Sequence, residues 1–333
     1  MDAVLTVSGL TKHYPARGMA RGAAIKAVDG ISFEVYPGEV VGFLGPNGAG
    51  KTTAIKAITG LCSYSGTVKI AGHDLGTEHN EALKDLGAIV ENPDMYLNKS
   101  AEWNLKYLAS VSDEQSLRKG FPPETKLGDI ISRRVEKALE TVGLTSRATS
   151  RVKTYSLGMK QRLGIAQALL TEPKLLILDE PANGLDPDGI KDIRDLVRSL
   201  AAKNGMGILV SSHQLHEMQL MCDRVLIISR GKIVADKKIE DLARDSSGAR
   251  RITVRTDRAE EAARFIGEKT GAENIIVDGG AVHFSADATV AEITKELVMA
   301  GFNVCGVSED ELSLEDVFMR EVHSGAEEGE NVR

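Results

Sequence analysis

Apolar and polar positions over roughly the first 240 residues follow two rhythms, strand-sized apolar runs and helical spacing. Ile31 to Val35 alternates as a half-buried strand does, and Pro37-Gly38-Glu39 turns the chain. Val40 to Leu44 is then a continuous apolar run, the pattern of a strand covered on both faces. Lys51 to Thr59 has helical spacing, and further buried strands are predicted at Leu175–Leu178, Ile208–Ser211 and Val225–Ile228. Between about residues 95 and 170 no strand-like run occurs. Val135, Leu139, Val142 and Leu144 recur there at helical spacing, which predicts a helical insert. Polar residues 112–127, with Pro122-Pro123, are expected to form an exposed loop inside it. Strands alternating with helices predict an α/β domain with a largely parallel sheet.

Asp245-Ser246-Ser247-Gly248-Ala249 breaks the composition and is expected to be a linker, ending a first domain at residue 244. Beyond it, Arg251 to Arg255 has strand character, and Asp257 with Glu260 predicts a capping box before a helix to about Lys269. Short strands at Ile275–Val277 and Val282–Phe284 are joined through Asp278-Gly279-Gly280, a hairpin signal. Thr289 with Glu292 opens a second helix, Gly301 closes it, and Asn303–Val307 is a last strand. Strand, helix, strand, strand, helix, strand is the ferredoxin-like order, expected to fill an α+β domain over 250–323. Ser313 is expected to cap a short helix from Leu314 to Val322, and residues 324–333 are expected to be disordered.

Composition narrows the function classes. Of 333 residues, 42% are hydrophobic and 27% charged, the balance of an ordinary globular chain. Only 4% are aromatic, which argues against a stacking platform for nucleic acid, and the net charge of −7 supplies no basic field for DNA or anionic lipid. Cys62, Cys222 and Cys305 are far apart and suggest neither a disulfide framework nor a zinc site, as fits a reducing compartment. No apolar run approaches the ~18 residues of a membrane span, and the start of the chain lacks the pattern of a signal peptide.

Gly45-Pro46-Asn47-Gly48-Ala49-Gly50-Lys51-Thr52 fits G-x-x-x-x-G-K-[ST], directly after a buried strand and before a helix. Glycines let the backbone turn so that N–H groups form a nest for phosphate oxygens at a helix N-terminus. Lys51 brings a point charge to the β- and γ-phosphates, and the Thr52 hydroxyl suits a Mg²⁺ shell. The pattern predicts ATP or GTP binding.

Leu175 to Leu178 delivers two carboxylates, Asp179 and Glu180, at the tip of a buried strand. The first is expected to hold Mg²⁺, directly or through water, and the second to polarise an attacking water. His213 ends the strand Ile208 to Ser212 at about the level of the phosphates. His213 and His216 with Glu217 form a possible metal cluster, but no second group of ligands supports it.

With these residues in place, the chain resembles the nucleotide-binding subunit of ABC transporters. Tyr155-Ser156-Leu157-Gly158-Met159-Lys160-Gln161-Arg162 is similar to that family's signature sequence. Gly184-Leu185-Asp186 resembles its D-loop, His213 its switch histidine and Tyr14 its adenine-stacking aromatic. These motifs span about residues 4–240 in the family's order. The signature reads Ser-Leu-Gly-Met where Ser-Gly-Gly-Gln is common. Glu91, in Gly87-Ala88-Ile89-Val90-Glu91-Asn92-Pro93, occupies the position of the usual Q-loop glutamine. Both variants resemble the bacitracin- and lantibiotic-type exporter ATPases, as does the end motif Leu312-Ser313-Leu314-Glu315-Asp316-Val317-Phe318. A third departure, the twelve residues between Tyr14 and Ala27, is longer than the family pattern.

The resemblance implies the ABC ATPase fold, a P-loop NTPase core with a mixed sheet and helical insert, and the cofactors ATP and Mg²⁺. It implies nucleotide contacts from Tyr14, Asn47, Gly48, Ala49, Gly50, Lys51, Thr52 and Thr53, with Ser156 and Gly158 facing the nucleotide held by a second subunit. Lys51, Glu180 and His213 would be catalytic, and Thr52, Glu91 and Asp179 would serve the metal. Two ATPase subunits, identical or not, would close on ATP and reopen on hydrolysis, coupled to a separate transmembrane permease. The expected activity is thus that of a type-2 exporter ATPase moving a drug, peptide or lipid-like substrate. Its expected location is cytoplasmic, peripheral on the inner face of the cell membrane, with no nucleic-acid partner. The competing readings are a soluble ABC ATPase acting on nucleic acid or ribosomes and a degenerate interaction protein. Against the first stand the single cassette and the absence of sustained heptads, and against the second the intact Lys51, Asp179, Glu180 and His213. An importer ATPase would usually carry a β-barrel after its cassette, unlike the split α/β pattern after Arg250.

Overall fold

The computed structural model describes residues 2–15, 24–91, 93–241, 250–286 and 288–311. The linker at 245–249, the end motif 312–318, the helix expected at 314–322, the tail 324–333 and most of the stretch between Tyr14 and Ala27 lie outside the described residues. The chain forms two compact units, one running to Ile239 and the other beginning at Glu240.

In the first unit, β1 (Leu5–Pro15) and β2 (Ala24–Val35) form an antiparallel pair. With β4 (Ser65–Ile70) and β5 (His73–Asp74) they make a four-stranded sheet of order β2-β1-β4-β5. A six-stranded sheet has the order β10-β9-β3-β8-β7-β6. It contains β3 (Val40–Leu44), β6 (Leu86–Ile89), β7 (Leu175–Asp179), β8 (Gly207–Ser212), β9 (Arg224–Ser229) and β10 (Lys232–Lys238). Strands β6, β7, β8, β3 and β9 are parallel, and β10 alone runs antiparallel at one edge. Every residue of β3, β7 and β8 is buried, which explains their unbroken apolar runs. Leu5, Val7 and Leu10 of the first sheet share one core with Phe43, Ile177, Leu209 and Leu226 of the second.

Strand β3, flanked by β8 and β9, leads into the loop that precedes α1 (Lys51–Ile58). After α2 (His79–Leu83), the region expected to be helical holds α3 (Ala101–Val111), α4 (Glu114–Leu117), α5 (Leu127–Thr141) and α6 (Leu157–Ala168). The expectation of an exposed loop over 112–127 fails at its first half. Asp113 caps α4 by accepting from Ser116 N–H at 2.7 Å, and Ser116 and Leu117 are buried. The cause is Arg134 of α5, only 3% exposed, which donates to the main-chain oxygens of Leu117 and Lys119 and so draws this polar turn inward. Helices α7 (Pro187–Asn204) and α8 (Leu215–Met221) complete the unit.

The second unit runs β11 (Arg250–Thr256), α9 (Ala259–Thr270), β12 (Glu273–Asp278), β13 (Ala281–Ser285), α10 (Val290–Met299) and β14 (Val304–Glu311). Its antiparallel sheet has the order β12-β13-β11-β14, the ferredoxin-like arrangement expected from the element order. Ile252, Val254, Ile266, Val282, Phe284, Ile293 and Leu297 form its own core. The Thr289–Glu292 capping box is present. The one expected at Asp257 and Glu260 is not. The N-cap is Arg258, which puts Glu261 rather than Glu260 at the third helical position, where it pairs with Arg258 at 3.2 Å. Asp257 instead accepts from the Thr256 hydroxyl. No helix among the described residues is long and apolar enough to cross a membrane.

Candidate functional site

Two parallel strand ends and one loop build the main cleft. The loop after β3 needs glycine at position 50, where φ is +108° and a Cβ would run into the main-chain oxygen of Ala27. That close approach lets the chain enter α1 with its first N–H groups uncovered. Lys51, the first residue of α1, is 6% exposed, and its Nζ donates to the carbonyls of Gly45 at 2.7 Å and Pro46 at 3.3 Å. The ammonium is thereby held across the mouth of the loop.

Strand β7 ends in Asp179, which is buried and accepts from the Ser211 hydroxyl at 2.5 Å. Ser211, at the matching level of β8, also accepts from the N–H of Glu180 at 2.9 Å. This bond anchors Glu180 in a left-handed backbone, φ +49°, that a side-chain-bearing residue adopts only at a cost of about 1–2 kcal/mol. The turn sends the Glu180 carboxylate into the cleft. There Oε1 lies 3.4 Å from Lys51 Nζ, and Oε2 is 2.9 Å from His213 Nδ1. One carboxylate therefore bridges the loop lysine and the strand-end histidine.

The cleft, about 430 Å³, is lined by Asn47, Gly48, Ala49, Gly50, Lys51, Thr52 and Thr53, with Glu180, His213, Ala27 and Asn183. The sequence-predicted loop, acid and histidine thus meet at one place. Ala27, Asn183 and Ser211 were missed. Ser211 carried a legible signal, since Ser211-Ser212 puts two hydroxyls at the end of an otherwise apolar strand. Ala27 carries none, because it is its main-chain oxygen, not its side chain, that approaches Gly50.

Ser156 and Gly158 line a different cleft, about 370 Å³, with Gly184, Leu185 and Asp186. Ser156 is the N-cap of α6 and accepts from Met159 N–H at 3.2 Å, while Asp186 caps α7 by accepting from Gly189 N–H at 2.9 Å. Two helix N-termini therefore open on this second cleft.

Tyr14 and Glu91 line neither cleft. Tyr14 is 41% exposed, with Lys12 Nζ 5.1 Å from the centre of its ring. Glu91 also has a left-handed backbone, φ +65°, and its carboxylate pairs with Lys56 of α1 at 2.6 Å. That hydrogen bond to an ammonium holds the Glu91 pKa below the usual carboxylate range.

For Mg²⁺, the candidate donors are the hydroxyl of Thr52, which lines the cleft, and the carboxylate of Asp179, which is buried at the end of β7 next to Glu180 and is not itself among the lining residues. Such hard oxygen donors suit this ion, which keeps most of its shell as water and phosphate. Among the described residues no cluster of three or more His, Cys, Asp or Glu forms a metal cage, and the His213, His216, Glu217 group is not one.

Comparison with known proteins places this geometry. The ABC transporter family model matches residues 28–183. The chain is 38% identical over 333 residues to the uncharacterized ABC transporter ATP-binding protein YdbJ of Bacillus subtilis (strain 168), covering 99% of each. It is 34% identical over 328 residues to the bacitracin transport ATP-binding protein BcrA of Bacillus licheniformis, covering 98% of this chain and 99% of the relative. A solved ATP binding subunit of an ABC transporter is 30% identical with a TM-score of 0.56, covering 73% of this chain and 93% of that one. With the loop, acid and histidine assembled on a cassette fold, the chain belongs to the ATP-binding proteins of ABC transporters, ATPases whose hydrolysis is coupled to transport.

Proposed function

We propose that the chain energises export of a drug, peptide or lipid-like substrate through a separate membrane permease, as the ATPase subunit of a type-2 exporter. The observation that carries this reading is length. Likeness to the bacitracin transport ATP-binding protein does not stop at the cassette but runs through the ferredoxin-like unit, over 98% of the chain.

In this reading the N–H groups of the loop and the start of α1 receive the phosphates of ATP, and Lys51 neutralises their charge. Thr52 and Asp179 would hold Mg²⁺, which would supply neutralisation of phosphate charge, and Glu91, paired with Lys56 outside the cleft, would reach the ion only by leaving that partner. Glu180 accepts a proton from the attacking water, and His213 holds the Glu180 carboxylate in place through the 2.9 Å contact. Because Ser156 and Gly158 face their own cleft, their helix N-terminus serves the nucleotide of a second ATPase subunit. ATP then acts as the bond between two subunits, and hydrolysis releases it. The ferredoxin-like unit is an accessory domain with a regulatory or dimer-stabilising role, since the residues lining both clefts belong to the first unit.

Purification of the tagged chain from detergent-solubilised membranes of its native host tests the reading. A multi-span membrane protein retained with it, and ATPase activity stimulated by that partner, is the expected result. A chain recovered with ribosomes or nucleic acid instead would overturn it.

A further inference from the structure

Behind His213 lies a buried carboxyl with no part in the reaction as read above. Glu217 of α8 is 8% exposed. Its Oε2 accepts from the Ser212 hydroxyl at 3.1 Å, whereas its Oε1, equally shut off from solvent, has no hydrogen-bond partner. The same Ser212 oxygen accepts from the N–H of Gln214 at 3.0 Å. Ser212 and Gln214 flank His213. One carboxyl therefore fixes the hydroxyl that ties the backbone together on both sides of the imidazole. The main-chain oxygen of Ser212 also accepts from Gly45 N–H at 3.4 Å, which joins this turn to the first residue of the phosphate loop.

Stability does not account for such a residue. A buried carboxyl with a single hydrogen bond is costly, and the helix already buries Leu215, Met218 and Met221 as its apolar face. Burial raises the Glu217 pKa, the Ser212 hydrogen bond opposes that, and the Glu180 carboxylate raises it further.

We propose that Glu217 is a positioning residue for hydrolysis, holding His213 against Glu180 through the hydroxyl of Ser212. The chain of contacts is Glu217 Oε2 to Ser212 Oγ, across the His213 backbone, then His213 Nδ1 to Glu180 Oε2. Loss of the first contact frees the turn and lets the ring drift. A displacement of about 1 Å at a reacting group costs roughly 100-fold in rate. The inference rests on the roles given above to Glu180 and His213.

Steady-state ATP hydrolysis and thermal unfolding of the full chain and its variants test it. Glu217→Leu and Ser212→Ala are each expected to lower kcat roughly 10- to 100-fold while KM for ATP stays within about twofold. The double variant should be no worse than the more affected single one, because both act through one contact. Glu217→Gln, which keeps an oxygen for the Ser212 hydroxyl, should restore kcat to within about threefold of the parent. A kcat retained in Glu217→Leu or Ser212→Ala while His213→Ala loses it overturns the proposal. So does a Glu217→Gln variant no better than Glu217→Leu, or a loss shared equally by kcat and ATP binding. If Glu217→Leu does not fold, Ser212→Ala, which removes only one oxygen, decides. Full turnover in His213→Ala would instead defeat the reading of the site itself, and the proposal with it.

Discussion

Replacing Glu180 by glutamine should make the chain bind ATP more tightly while stopping its turnover. Lys51 Nζ lies 3.4 Å from Glu180 Oε1, and a γ-phosphate must compete with that carboxylate for the same ammonium. At 3.4 Å and an effective dielectric constant of about 20, the attraction is about 5 kcal/mol before any cost of desolvation. Because the Glu180 side chain is 22% exposed, solvent screening and side-chain ordering leave a net of order 1 kcal/mol. Glutamine fills the same volume, tolerates the left-handed backbone no worse than glutamate, and carries no charge to compete. Mg-ATP affinity should therefore rise about fivefold. Turnover should fall by about 10²- to 10⁴-fold, the contribution typical of a general base. Titration calorimetry gives the affinity, with a slowly hydrolysed analogue for the parent chain, and phosphate release gives the rate. Unchanged or weakened binding would refute the competition argument, and turnover within about threefold of the parent would remove Glu180 from the chemistry.

Lys51→Ala should weaken ATP binding by about 10- to 100-fold, the worth of a charge-assisted contact to phosphate, as read by the same titration. Phe284→Ala, at a side chain 1% exposed in the core of the second unit, should destabilise that unit by about 3–5 kcal/mol. Calorimetry should then show its transition lowered or lost, with ATP affinity unchanged. Asp85 pairs with Lys119 at 2.7 Å and Lys174 at 2.9 Å. Burial opposes its charge, but these two ammonium groups hold its pKa below the ordinary value. A depressed carboxylate pKa adds stability at neutral pH that is lost as pH falls below about 4. Urea denaturation should accordingly show Asp85→Asn less stable at pH 7, by about 1–3 kcal/mol, with the difference shrinking progressively as pH falls below about 4.

What was legible in the sequence follows from what the physics forces onto it. Strands β3, β7, β8 and β9 are covered on both faces, so nearly all their residues are apolar and the runs stand out. The phosphate loop was legible because left-handed turns and close backbone approach demand glycine at fixed spacings, as at Gly50. Strand β1 was not legible. It is half-exposed, and its pairing with β2 is broken by register shifts between Val7 and Lys12, which scramble the two-residue alternation. The turn at 112–127 looked like solvent-facing loop because its partner, Arg134, is distant in sequence and polar itself. In the site, Lys51, Glu180 and His213 were found by residue type and position. The Ser211 and Ser212 contacts that aim them depend on adjacent strand ends, which a linear reading does not bring together. The same limit applies to the pairing of Glu91, two residues beyond the end of β6, with Lys56 of α1.

The proposal that a second subunit completes each nucleotide site rests on the Ser156 and Lys51 clefts having no lining residue in common. Sedimentation of the Glu180→Gln chain with Mg-ATP, with Mg-ADP and without nucleotide tests this most directly. A dimer with Mg-ATP that reverts to monomer with Mg-ADP, and that Ser156→Arg abolishes without loss of ATP binding, is the expected result. A monomer in all three conditions, with ATP demonstrably bound, would contradict it.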